Sequence, residues 1–97
     1  MSRHTKYIQK MLNELDNGEN VVISPDKLVK FERIIDEYEC LKVFHYGTLI
    51  LTLWENGWIE IGKYAYSDTD VRIINQVLEH YKIEKVAHRK KDMIYTE

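Results

Sequence analysis

The chain has 97 residues, 44 % hydrophobic and 31 % charged, which is the balance of one ordinary soluble domain and leaves no material for a second core. Lys plus Arg total 14 and Asp plus Glu total 16, so the net charge of −2 supplies neither the positive field of a nonspecific nucleic-acid binder nor the negative field of a DNA mimic. A single cysteine, Cys40, excludes an internal disulfide and suits a reducing cytoplasm. Met1 to Lys10 holds no apolar run of signal-peptide length and no segment approaches a membrane span, so the expectation is a cytoplasmic protein.

Tyr7, Ile8, Met11, Leu12 and Leu15 recur at helical spacing before Asp16-Asn17-Gly18, which predicts a first helix over about 4–16 closed by a left-handed cap. Val21 to Ile23 is a β-branched run too short for a helix. Ser24-Pro25 has the chemistry of a helix start, and Leu28, Phe31, Ile34, Ile35 and Tyr38 follow at steps of three and four, predicting a second, amphipathic helix to about Glu39.

From Leu41 to Ile61 the period becomes two, predicting a three-stranded meander. Asn56-Gly57 is read as a two-residue type I′ turn, pairing Trp54 with Ile59 and Thr52 with Ile61. In that register Ile50, Thr52, Trp54, Ile59 and Ile61 share one face, and Leu49, Leu51, Leu53 and Trp58 the other. A strand apolar on both sides is either covered twice or awaits a partner, so a homodimer burying the spare leucine face is one way to satisfy it. Ser67 and Asp70 stand at capping-box spacing ahead of Val71, Ile74, Val77, Leu78 and Tyr81, predicting a third helix. Ile83 to His88 and Met93 to Thr96 read as two closing strands.

The chemistry-bearing residues give little sign of catalysis. No His or Cys pair has the spacing of a preformed metal site, and Asp68-x-Asp70 sits where carboxylates stabilise a helix start. Neither Ser24 nor Cys40 lies in a nucleophile motif, and a glycine-rich phosphate loop is missing. The reading is therefore of a protein without enzymatic activity, metal or cofactor. Aromatic residues are dense between Phe44 and Tyr66; Phe44 and Trp54 are expected in the core, and Trp58, Tyr64 and Tyr66 at the surface. The last segment is basic, with Lys82, Lys85, Arg89, Lys90 and Lys91 against Glu84 alone.

Phe44-His45-Tyr46-Gly47-Thr48, Gly62-Lys63-Tyr64, Ser67-Asp68-Thr69, Arg72, Asn75-Gln76-Val77-Leu78 and Val86 to Tyr95 together form a pattern. Over residues 44 to 95 it resembles small uncharacterised proteins of phages and other mobile elements. Those proteins carry a hairpin ending in Gly-Gly-aromatic, a Thr-rich turn, an Arg-Ile-Asn helix and a short closing hairpin. Here Lys63 stands at the second Gly, Asp68 at one Thr, and an extra isoleucine separates Arg72 from Asn75. The resemblance implies a phage-like origin and an α+β fold.

The expected architecture is one α+β domain over 1–97, an antiparallel meander with three helices in the order α-β-α-β-β-β-α-β-β. The expected function is stoichiometric binding to a host protein or ribonucleoprotein complex, as in an anti-CRISPR-like inhibitor of host defence. Its contact residues are Glu55, Trp58, Glu60, Lys63, Tyr64 and Tyr66. The alternative is a nucleic-acid-binding module using Lys85, Arg89, Lys90 and Lys91.

Overall fold

The structure is a computed structural model that describes residues 7–65, 67–91 and 93–97. Helix α1 (Ile8–Asp16) leads into five strands, β1 (Val21–Ile23), β2 (Val29–Ile35), β3 (Glu39–His45), β4 (Thr48–Trp54) and β5 (Ile59–Ile61). Helix α2 (Asp68–His80) and strands β6 (Ala87–Lys90) and β7 (Met93–Thr96) follow. The five strands pair in sequence order as one antiparallel sheet, and β6 and β7 form a separate hairpin. The α+β class and the antiparallel sheet agree with the sequence pattern; the order among the described residues is α-β-β-β-β-β-α-β-β, with two helices where three were expected.

The difference lies at residues 24–39. Leu28, Phe31, Ile34 and Ile35 satisfy helical spacing, but Val29, Phe31 and Arg33 also alternate with Lys30, Glu32 and Ile34, and the tertiary context selects the second pattern. As a strand, this segment pairs with β1 through Val22↔Phe31 and with the whole length of β3, from Val29↔His45 to Ile35↔Glu39. Phe31 and Val29 are thereby fully buried. Ser24-Pro25 starts a turn instead of a helix. The Ser24 hydroxyl donates to Asp26 Oδ1 at 2.6 Å and accepts from the Val29 N–H at 3.1 Å, while the Leu28 N–H donates to Asp26 at 3.1 Å. Lys27 turns the chain at φ 63°. Side-chain oxygens that serve as helix caps serve equally well in such turns.

The helices cover one face of the sheet. Ile8, Met11, Leu12 and Leu15 of α1 and Ile73, Ile74, Val77 and Leu78 of α2 join Val22, Phe31, Leu41, Val43, Leu51 and Leu53 in one core, which Ala87 and Ile94 extend into the hairpin. The opposite face carries Ile34, Cys40 and Trp54 at one end and Lys30, Phe44 and Leu49 at the other, as the cross-strand register requires. Phe44 and Trp54 therefore stand half-buried on the outer face, not in the core.

The second hairpin of the meander differs from the expected geometry. Glu55-Asn56-Gly57 is a three-residue loop: the Gly57 N–H donates to the Trp54 carbonyl at 2.9 Å, the Trp54 N–H to the Trp58 carbonyl at 2.9 Å, and among these loop residues only Gly57 has positive φ. The register moves by one, to Leu53↔Ile59, Thr52↔Glu60 and Leu51↔Ile61, which puts Ile59 and Ile61 on the face of Leu51 and Leu53. The two-residue turn with both central residues at positive φ is Tyr46-Gly47, between the paired His45 and Thr48. A bulge between β3 and β4 at Val43/Phe44 sends Ile50 and Leu51 both into the core and separates Leu49 from the other leucines.

Gly18 at φ 105° closes α1 after its N–H bonds the Leu15 carbonyl at 3.0 Å. At the start of α2 the expected capping box forms, with Asp70 N–H to Ser67 Oγ at 3.0 Å and Ser67 N–H to Asp70 Oδ2 at 3.1 Å. Asn75 clamps the second sheet to α2: it donates to the Ala87 carbonyl at 3.0 Å and accepts from the Ala87 N–H at 2.6 Å.

Candidate functional site

The antiparallel pairing of β3 with β4 places two loops side by side at one end of the sheet. One is Asp36-Glu37-Tyr38 between β2 and β3, the other Glu55-Asn56-Gly57 between β4 and β5, and the Glu55 N–H donates to the Glu39 carbonyl at 3.0 Å. Between them lies a groove of about 480 Å³ lined by Tyr38, Glu39, Trp54, Glu55, Trp58 and Glu60. Tyr38 is 65 % and Trp58 68 % exposed, so two large rings present apolar area around one concavity. The volume lies within the range of small-ligand pockets, and the lining combines aromatic area with convergent polar groups.

The structure thus brings together Glu55, Trp58 and Glu60 of the expected contact set. Lys63 and Tyr64 follow the far end of β5 and do not line the groove; Tyr64 is 67 % exposed, with Lys63 Nζ 5.6 Å from its ring centroid. Tyr66 lies outside the described residues. Tyr38, Glu39 and Trp54 were missed as contact residues. The first two belong to the segment read as helical, and Trp54 to a register that turned it inward. The exposed loop Asp36-Glu37-Tyr38 carried the available signal, an aromatic among carboxylates.

The basic segment is spread out. Arg89 Nη1 is 3.1 Å from Asp68 Oδ1, and His88 Nε2 is 3.3 Å from Glu97 Oε1, so local carboxylates already face two of its polar groups. Lys85, Lys90 and Lys91 are exposed around the β6–β7 hairpin. Asp68 and Asp70 diverge: while Asp68 meets Arg89, Asp70 Oδ1 is 2.7 Å from His45 Nδ1, and both side chains of that pair are 7 % exposed. This buried pair ties the end of β3 to the first turn of α2.

A second cleft, of about 310 Å³, opens on the helix side of the same end, lined by Arg33, Leu53, Tyr81 and Ile83 and sharing Glu39, Trp54 and Glu55 with the groove. Arg33 donates to the Leu15 carbonyl at 3.0 Å and lies 3.8 Å from Glu39. The Tyr81 hydroxyl is buried beside Arg33 and Asp16. Burial, and then the negative charge of Asp16, push its pKa above the ordinary 10.0 against the opposing pull of Arg33. A phenol whose folded pKa is raised contributes stability that is complete below pH 10.0 and is lost as pH rises through the folded value. Tyr81→Phe is therefore expected to lose less stability than the wild type between pH 9 and pH 11, read by urea unfolding; equal losses would reject that account.

Comparisons with protein-family models, with curated proteins and with solved structures returned no match. The groove is therefore argued from its own geometry. No helix of the described residues is long and apolar enough to cross a membrane.

Proposed function

We propose that this protein acts by stoichiometric binding, without turnover, docking the aromatic groove at the loop end of its sheet onto a protein partner. The observation that carries the reading is the exposure of Tyr38 and Trp58 around one cavity. Aromatic side chains in a concave surface with charged neighbours are the usual anchors of a protein interface, and the carboxylates at the rim set orientation. The resemblance of residues 44–95 to small phage proteins supports a more specific form: an anti-CRISPR-like inhibitor that obstructs a host defence complex in the cytoplasm.

The test is affinity capture from the native host with the wild-type chain and with Tyr38→Ala/Trp58→Ala, read by mass spectrometry beside circular dichroism. Because both rings are already exposed, the double variant is expected to stay folded and to lose about 2 kcal/mol or more of binding, at least thirty-fold in affinity. A folded double variant that retains its partner removes the groove from the function.

A further inference from the structure

Resting on the docking reading, we infer that the groove receives an arginine side chain carried on a basic segment of the partner. Two features of the lining point to a cation of this shape. The polar lining of the groove includes the carboxylates Glu39, Glu55 and Glu60, while its apolar lining comes from Tyr38, Trp54 and Trp58. A planar guanidinium satisfies both at once, since it stacks on aromatic faces and donates in a fork to carboxylates; an ammonium does the second as a point charge. An anionic segment would meet repulsion, and a purely apolar one would desolvate carboxylates without compensation.

The chain itself leaves this demand unmet. Arg33, on the helix side, is committed to the Leu15 carbonyl and, at 3.8 Å, to Glu39, and Lys42, on the outer face two strands from Glu60 across Thr52, does not line the groove. Among the described residues Glu55 and Glu60 have no ion-pair partner, and Asp36 and Glu37 add exposed negative charge beside them. Two cation–ring contacts made within the chain, Lys30 over Phe44 at 4.6 Å and Lys63 by Tyr64, lie at the opposite end of the sheet. Lys27 is at that end as well, lining with Lys30 and Phe44 another cavity near Ile23. Midway along the outer face Glu32 and Lys42 are cross-strand partners and Lys30 lies 3.4 Å from Glu32, so those charges are locally matched, whereas the loop end that holds the groove carries Asp36, Glu37, Glu39 and Glu55, a surplus of negative charge that attracts an incoming arginine.

The chain contains two tryptophans, Trp54 and Trp58, and both line the groove, Trp54 also bordering the adjoining cleft, so selectively excited tryptophan fluorescence reports this end of the sheet and the loss of its response in Trp58→Ala assigns the signal to the groove. An acetylated tetra-arginine peptide, titrated at low salt, is expected to give a saturable change. The same peptide with citrulline, which keeps the shape and removes the charge, is expected to bind at least ten-fold more weakly. Glu55→Gln/Glu60→Gln, which keeps the shape of both side chains, should weaken the arginine peptide by a similar factor while leaving the melting temperature in place. Absence of a response to 1 mM peptide, equal binding of the citrulline peptide, or an unaltered titration of the Gln variant each overturns the inference. So does a concentration-dependent dimer in sedimentation that Trp58→Ala abolishes, because a second copy would then be the occupant. A captured partner that depends on Tyr38 and Trp58 but binds the Gln variant normally would remove arginine recognition and leave the docking reading standing.

Discussion

Gly62→Ala is expected to lower the stability of the fold by about 3 kcal/mol and its melting temperature by roughly 15 °C, read by thermal circular dichroism. A Cβ at this position would fall on the Leu49 carbonyl oxygen and within 2.9 Å of the Ile50 Cα. These neighbours are backbone atoms, which cannot swing aside as the end of a side chain can. They also belong to the bulged stretch of β4 that sends Ile50 and Leu51 into the core, and the Gly62 N–H donates to the Ile50 carbonyl at 2.8 Å. Relief of the clash must therefore pull the segment after β5 off the sheet or distort the bulge. Gly18→Ala is a useful contrast: an added Cβ meets open space, and the left-handed backbone costs only about 1 kcal/mol. A Gly62→Ala melt within about 3 °C of the wild type would show that the approach relaxes easily.

Asp70→Ala should cost about 3 kcal/mol in urea unfolding, through two losses at one carboxylate. Oδ2 accepts the Ser67 N–H in the capping box, and Oδ1 meets His45 Nδ1 at 2.7 Å in a site where both side chains are 7 % exposed. Truncation opens the reciprocal half of the capping box, leaving Ser67 Oγ on the backbone N–H of residue 70, and removes from a buried imidazole a partner that no water can replace at full strength. Asp70→Asn retains an acceptor for one of the two bonds and is expected to fall between Ala and wild type. Ser67→Ala breaks only the local half of the arrangement and should cost about 1 kcal/mol. If Asp70→Ala matches Ser67→Ala, the His45 contact contributes nothing and the pair is incidental.

These two positions show how differently structure can be encoded. Ser67 and Asp70 were readable as a cap because their partners lie within one helical turn, and the helix after them has one consistent period. His45 as the third member of that group was not readable, since it arrives from the sheet. Residues 29–35 carried a pattern compatible with two periods. Helical spacing of Phe31, Ile34 and Ile35 competed with alternation in Val29, Phe31 and Arg33, and nothing local distinguishes them. Asn56-Gly57 signalled a hairpin correctly, yet its loop length, and with it the face taken by Ile59 and Ile61, followed from a third loop residue.

The candidate site divides along the same line. Glu55, Trp58 and Glu60 cluster along the chain around a recognisable turn, so their proximity could be anticipated. Tyr38 and Glu39 reach them only through the β3–β4 pairing, and Lys63 and Tyr64, though near in sequence, are carried away along β5. The amino-acid sequence by itself determined the glycine turn that closes α1, the capping box that opens α2, the strand character of residues 41–61 and the presence of a basic closing hairpin, because each depends on partners a few residues apart. Tertiary structure alone decided that residues 29–35 form a strand, which face of the sheet stays open, and that aromatic rings and carboxylates from two loops share one groove. Those outcomes rest on hydrogen-bonding partners and buried area supplied by distant segments, which a local pattern does not contain.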